Sequence, residues 1–522
     1  MLTTNTYETA VELLNQTQSN ASILQAVRAS GGKLNERSMP EMREYMARLG
    51  YSMADLDELN VIHVAGTKGK GSTSAFCESI LRRCHVVSSG SDGGQTTTRP
   101  LKTGLYTSPH ILQVRERIRL DGQPLSKAKF TKYFYELWNR FDETQDQVSE
   151  GTTSKPPYFR FLTALAFHVF KKEGVDVAIM EVGMGGAYDA TNVIRKPIVC
   201  AISSLGLDHT AILGKTLPEI AWHKAGIMKA GIPCFTSPQK EDAFKVIEEQ
   251  ALELKASELS ISLPSVVEGI TLGLAGSHQK LNASLAVSAC TTWIHTMQAK
   301  KLYTFDSSCI PLLASDDSKQ QQQELLPQPF IDGLASTTWI GRAQEYHAAQ
   351  YPNVTWFLDG AHTPESILVC TEWFEGAVKK YVDHTRTTLI FNCNSTHGRD
   401  GPELLKPIAE LHLQHNNLFS RVIFTPNDPY RPNTRTLADY TNNMVDADKL
   451  LTAQYALQAA WKEFMDTAGS EAVTETFVVS SIEEAVELAA VGGSEEEKTP
   501  VLVTGSLYLV GGVLTNLGAE CI

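Results

Sequence analysis

The segment Val61 to Arg83, VIHVAGTKGKGSTSAFCESILRR, constrains the chain most, because an apolar strand passes through a glycine-rich turn directly into a helix. That order builds a phosphate cradle. Gly66, Gly69 and Gly71 lack a Cβ, so the backbone can bend tightly and aim successive N–H groups inward, while the new helix adds its positive N-terminal end. Lys70 supplies a cation for outer phosphates. In the general phosphate loop Ser or Thr follows the lysine directly; here Gly71 intervenes before Ser72, which displaces the metal-binding hydroxyl by one residue. A corner with glycines kept only for packing would not also need the lysine.

Length and charge bound the alternatives. A chain of 522 residues exceeds one ordinary core and predicts more than one domain. With 42% hydrophobic and 20% charged residues it is an ordinary globular composition. A net charge of −13 argues against a nucleic-acid-binding surface but is compatible with a local basic pocket for a small anion. The nine cysteines form no CxxC pair, which fits reduced thiols better than a disulfide framework, and there is no zinc motif. The first residues lack the charged start and apolar core of a secretory signal, and no arginine precedes Arg28, so the cytosol is the expected address; an alternative translation start would add a mitochondrial pool. No apolar run approaches the roughly 20 residues needed to span a bilayer.

Strands are expected at Val61 to Ala65, near Gly104 to Tyr106, at Val175 to Met180 and at Ile198 to Ile202, with a buried helix over Phe159 to Lys172. Strands alternating with helices predict a mainly parallel sheet, whose ligands sit beyond the carboxyl ends of the strands. Segments 86–100 and 306–329, the latter carrying the run Gln320 to Gln323, read as mobile surface insertions. Beyond them, strands at Thr355 to Leu358, Thr387 to Phe391, Arg421 to Phe424, Phe477 to Val479 and Val501 to Val503 predict a second α/β domain. The expected division is residues 1–330 and 331–522.

Several polar residues follow those strands. Glu181 opens EVGMGGAYDATN, and a glutamate at the end of a buried strand either binds magnesium near a triphosphate or caps a neighbouring helix. His209, in SSLGLDHTAILG, is either a ligand or a packing residue. Lys224, on a helix starting after Pro218, is either solvated, paired with phosphate, or neutral and able to take up carbon dioxide as a carbamate. In FLDGAHTPES, Asp359 could accept from a ribose hydroxyl or cap a helix, and His362 could reach phosphate. Arg342 is either a phosphate clamp or solvated.

Together GTKGKGS (Gly66 to Ser72), YTSPHILQVRERIR (Tyr106 to Arg119), PPYFRFLTALAFHVF (Pro156 to Phe170), EVGMGGAYDATN (Glu181 to Asn192), SSLGLDHTAILG (Ser203 to Gly214), HKAGI (His223 to Ile227), GSHQKLNASLA (Gly276 to Ala286), the GR at Gly341 and the DGAH at Asp359 resemble the Mur ligase superfamily and, within it, the folylpolyglutamate synthase family. The motif agreement covers most of residues 60–395. It implies an α/β fold with a P-loop, Mur-ligase-like central ATP-binding domain on a parallel-rich sheet and a C-terminal Rossmann-like domain. By position, Gly66, Thr67, Lys68, Gly69, Lys70, Gly71, Ser72, Asn282, Arg342, Asp359 and His362 would bind ATP; Ser108, Glu181 and His209 would bind magnesium; and Lys224 would be carbamylated. Lys70, Lys224 and His362 are the expected catalytic groups. Ser108, Pro109, His110, Arg115 and Arg117 would meet the substrate.

The implied reaction joins L-glutamate to a reduced folate at the expense of ATP, with magnesium and a monovalent cation such as potassium as ions, in a monomer that binds no nucleic acid. The insertion at Val86 to Pro100 departs from the family's shorter connection. Two rivals remain open from sequence: a dihydrofolate synthase acting on dihydropteroate, and a catalytically silent nucleotide-binding protein.

Overall fold

The computed structural model describes residues 5–18, 37–88, 96–311, 326–379, 387–393, 401–415, 418–431, 447–469, 474–491 and 499–521. They form two compact units. The first comprises residues 1–110, 115–273 and 278–338; the second comprises 111–114, 274–277 and 339–522.

In the first unit the strands are β1 (Ile62–Ala65), β2 (His85–Ser88), β3 (Thr97–Pro100), β4 (Thr103–Tyr106), β5 (Ile118–Leu120), β6 (Gln123–Pro124), β7 (Val177–Glu181), β8 (Val199–Ile202), β9 (Pro233–Thr236) and β10 (Glu258–Ile261). Eight of them make one sheet in the order β10-β9-β8-β1-β7-β4-β5-β6. β1 runs parallel to β7 on one side and β8 on the other, so the loops leaving these three strands emerge side by side. Among the described residues the antiparallel pairs in this sheet are β4 with β5 and β5 with β6. The central strands are buried along their length, as the unbroken apolar runs predict for a sheet covered on both faces.

The helix Tyr158–Glu173 covers the predicted buried stretch, and Phe161 through Phe170 are all buried. It starts after Pro157 and stops at Gly174, whose φ of 65° lets the chain leave the helix in the left-handed region. Helix Lys70–Leu81 packs against helix Gln279–Ala299, where the Cys290 thiol donates to the Cys77 carbonyl at 3.7 Å. Helix Gln328–Ser336 lies against the other side of Lys70–Leu81: Ser79 Oγ donates to the Gly333 carbonyl at 2.8 Å. An expected boundary at 330 therefore runs through a helix that belongs whole to the first unit.

The expected loop 86–100 is in part regular. β2 and β3 pair antiparallel, His85 with Pro100 through Ser88 with Thr97, and residues 89–95 between them lie outside the described residues. Likewise the segment 306–329 contains a short 3-10 turn, Ser307–Cys309, and the start of the helix at Gln328, while 312–325, with the glutamine run, lie outside the described residues. All nine cysteines are free thiols.

The second unit is built on β11 (Gln344–His347), β12 (Val354–Leu358), β13 (Thr387–Phe391), β14 (Phe419–Phe424), β15 (Glu475–Val478) and β16 (Thr499–Thr504), in the order β11-β12-β16-β13-β14-β15. All pairs are parallel except β11 with β12. Side chains alternate between two cores. Phe357, Leu389, Phe391, Val422 and Leu502 meet Ile367, Phe374, Leu405 and Trp461 on one face. Trp356, Leu358, Ile390, Ile423 and Val501 meet Val486, Leu509 and Val513 on the other. A sheet apolar on both faces requires helices on both, which is the doubly wound α/β arrangement.

Candidate functional site

The phosphate loop leaves β1 at Gly66 and enters helix Lys70–Leu81 at Gly69. Both glycines have positive φ, 145° and 87°. Neither could carry a side chain: a Cβ on Gly66 would come 1.9 Å from Ser203 Oγ, and one on Gly69 would come 2.0 Å from Asn282 Oδ1. The loop is therefore pressed between the end of β8 and helix Gln279–Ala299. The Thr67 and Lys68 N–H groups donate to the Ser204 carbonyl at 3.0 Å, and Ser203 Oγ donates to the Lys68 carbonyl at 2.7 Å. Asn282 is itself held by Gln279, to which its Nδ2 donates at 2.9 Å. Gly71 and the buried Ser72 follow in the first turn of the helix.

Two lysines converge on this loop. Lys70 Nζ donates to the Gly66 carbonyl at 2.9 Å, and Lys224 Nζ donates to the same oxygen at 2.7 Å. Lys224 is buried, which excludes a solvated helix lysine. Its helix, Leu217–Ala225, is started by Thr216, which forms a capping box with Glu219. Burial and then the neighbouring Lys70 ammonium hold the Lys224 amine well below the usual lysine range. The neutral amine is the form that can take up carbon dioxide.

Glu181 is the last residue of β7, adjacent to β1, and is buried. Its Oε2 accepts the N–H of Ser108, which lies just beyond β4, at 2.9 Å. His209 has φ 51° and its N–H donates to Asp208 Oδ1 at 2.9 Å; Asp208 also lies 3.9 Å from Lys68 Nζ. Among the described residues no group of three or more His, Cys, Asp or Glu is gathered as a metal cluster. A buried carboxylate beside a phosphate loop nonetheless fits magnesium, which takes one or two carboxylates, substrate phosphates and several waters.

Of the expected substrate-binding residues, His110 and Arg117 are joined, Arg117 Nε donating to His110 Nδ1 at 3.0 Å, with the guanidinium 5.5 Å from the Tyr158 ring centre. Arg115 instead donates to the Leu125 carbonyl at 2.8 Å. Pro109 is exposed and follows Ser108 through a cis peptide bond.

Arg342, Asp359 and His362 form a separate group in the second unit. Asp359, past the end of β12, accepts the Ala343 N–H at 2.7 Å on Oδ2 and the Ala361 N–H at 2.9 Å on Oδ1. It is not the cap of helix Pro364–Val378; Thr363 is, through a capping box with Ser366. His362 Nδ1 lies 2.9 Å from the Gly360 carbonyl, and Arg342 donates to the Gly341 carbonyl at 3.0 Å. Ser203, Asp208 and Asp189, all inside quoted motifs, have structural roles at the site that no local residue pattern assigns.

No family model matches the chain. It is 38% identical over 516 residues to the folylpolyglutamate synthase of Saccharomyces cerevisiae strain FostersO, spanning 98% of this chain and 86% of the relative, and equally so to that of strain S288c. The chain belongs to the folylpolyglutamate synthase family. That makes it an ATP-dependent ligase by membership. In fold it is similar to the Mycobacterium tuberculosis folylpolyglutamate synthase complexed with ADP and AMPPCP, at 22% identity and TM-score 0.66 over 96% of this chain and 100% of that one. It is also similar to the apo form of the L. casei enzyme, at 24% identity and TM-score 0.61 over 92% and 95%. The two-unit, parallel-rich α/β architecture is the Mur-ligase-like fold of the folylpolyglutamate synthases. Among the described residues no helix is long and apolar enough to cross a membrane.

Proposed function

We propose that the protein adds L-glutamate to the glutamate tail of tetrahydrofolates through an acyl phosphate, giving folylpolyglutamates that are retained for one-carbon metabolism. The observation that carries this reading is the convergence of Lys70 and Lys224 on the Gly66 carbonyl, beside the buried Glu181, in a chain so similar to a folylpolyglutamate synthase over nearly its whole length.

The chemistry follows from these groups. A carboxylate is unreactive toward an amine because oxide is a poor leaving group. Attack by a carboxylate oxygen of the folate's terminal glutamate on the γ-phosphorus of ATP releases ADP and leaves a mixed anhydride. The neutral amine of L-glutamate then attacks the acyl carbon; the tetrahedral adduct expels phosphate, and the amine loses a proton as the amide forms. Gly66 to Ser72 would cradle the phosphates, with Lys68 and Asn282 at its rim, and Lys70 would balance charge on the γ-phosphoryl group as it transfers. Bound magnesium supplies further charge neutralisation; Glu181, Ser108 and His209 would hold it, with Lys224 as its carbamate completing the acidic set. Arg115 and Arg117, the latter bonded to His110, are the candidates for a substrate carboxylate. Arg342, Asp359 and His362 are retained as candidates for nucleotide contacts.

The test is mass spectrometry of products after incubation with ATP, magnesium, L-glutamate and either tetrahydrofolate monoglutamate or dihydropteroate. Glutamyl extension of the folate is the expected result. Reaction of dihydropteroate alone would move the activity to dihydrofolate synthesis, and no product from either would leave a nucleotide-binding protein.

A further inference from the structure

The turn that follows Glu181 is held by one buried carboxylate. Asp189 Oδ2 accepts the Gly183 and Met184 N–H groups, both at 3.1 Å, while its Oδ1 accepts the Thr191 N–H at 3.0 Å and the Thr191 hydroxyl at 2.6 Å. The same hydroxyl lies 2.9 Å from Nε2 of His63, a residue inside β1, the strand that feeds the phosphate loop. Since the hydroxyl gives its proton to Asp189, it accepts from His63.

The turn is also tied to the residues on either side of Lys224. Asn192 Nδ2 donates to the carbonyls of Ala187 at 2.9 Å and Gly226 at 3.1 Å, and the Ala187 N–H donates to the His223 carbonyl at 2.7 Å. There is no slack in the packing. A Cβ on Gly183 would come 2.3 Å from the Phe159 ring, and one on Gly186 would come 2.5 Å from the His223 carbonyl. Burial raises the Asp189 carboxyl, working against the ionised form that its donors favour. A turn that needed only to be stable could satisfy its N–H groups without burying a carboxylate.

We infer that Asp189 is a positioning residue: through the Gly183 and Met184 N–H groups and the Thr191 bridge to His63, it fixes where the Glu181 carboxylate stands relative to the phosphate loop. This rests on the reading of Glu181 as the magnesium carboxylate. Groups that orient a metal ligand typically matter by about 10- to 100-fold in metal affinity.

The experiment is calorimetric titration of the full chain with AMPPCP, in EDTA and over a magnesium series. For Asp189→Asn the magnesium concentration giving half of the affinity gain is expected to rise about ten-fold, while affinity in EDTA stays within about two-fold of the unaltered protein. Thr191→Val should shift the magnesium constant in the same direction, and Thr191→Ser, which keeps the hydroxyl, should not; this pair decides the matter if Asp189→Asn does not fold. Equal weakening with and without magnesium would mean a merely structural carboxylate and would overturn the inference. Glu181→Gln separates the two levels. If it leaves the magnesium dependence intact, the reading of Glu181 is lost; if it abolishes that dependence while Asp189→Asn and Thr191→Val leave the constant unmoved, the positioning role alone is lost.

Discussion

Lys70 Nζ and Lys224 Nζ donate to one oxygen, the Gly66 carbonyl, at 2.9 and 2.7 Å. Burial first, and then repulsion between two amines drawn to one carbonyl, push the buried Lys224 amine well below the usual lysine range. That arrangement suits a site awaiting anions better than it suits stability.

Replacing Lys224 with Met should therefore separate stability from activity. The Gly66 carbonyl keeps Lys70 as its donor, so no buried acceptor is orphaned, and a costly buried amine is removed. We expect Lys224→Met to be stabilised by about 1 kcal/mol in urea unfolding. Ligase turnover should fall by about 100-fold or more, as expected for a lost electrostatic group at phosphoryl transfer. A destabilised but fully active variant would contradict both halves.

Gly69→Ala tests the closeness of helix Gln279–Ala299 to the loop. The residue has φ 87°, and the new methyl would lie 2.0 Å from Asn282 Oδ1. The left-handed backbone alone should cost about 1 kcal/mol, and the clash adds to it. Asn282→Ala clears the space without relieving the backbone. The double variant should thus be less destabilised than the sum of the singles, by about 1 kcal/mol in denaturant unfolding; strict additivity would show that the two residues do not press on each other.

The phosphate loop was legible because its determinants are local: a strand, glycines at fixed offsets, a lysine and a helix. So was the buried helix Tyr158–Glu173, whose apolar residues run almost all the way round. Edge strands were not. β10 (ELSI) has no buried residue and β11 (QEYH) alternates without an apolar face, so neither has the pattern that marks a central strand; the inner strand β9 was hidden for another reason, since it begins at Pro233 and only two of its four residues are buried. The sharing of one carbonyl by Lys70 and Lys224 was also illegible, since it depends on a tertiary contact between residues 158 positions apart. The same holds for Asp359, whose partner Ala343 is brought opposite it only by the pairing of β11 with β12.

Asp359→Asn probes that second-unit contact. Its two oxygens each accept a backbone N–H, and the amide that replaces one of them can only donate. One N–H must then face another donor. The variant should lose about 1–3 kcal/mol of stability by urea unfolding monitored by circular dichroism. Unchanged stability would mean that the carboxylate is kept for a ligand rather than for the loop.

His63 gives the protein an acid-sensitive strand beneath the site. It is fully buried, and desolvation, with a smaller contribution from Lys229, depresses its imidazole to about 3. The native state thus keeps it neutral where the unfolded chain, with a value near 6.5, already binds a proton. This stability is complete above about pH 6.5 and is lost as pH falls toward the native value. Between pH 7.5 and 5.5 the loss from this one group should be about 1.4 kcal/mol, and any native value below about 4 gives the same figure. His63→Gln, which keeps a donor for Thr191, should remove that increment from the pH dependence of the urea midpoint. A variant whose midpoint falls with pH as steeply as that of the unaltered protein would show that His63 is not the group responsible.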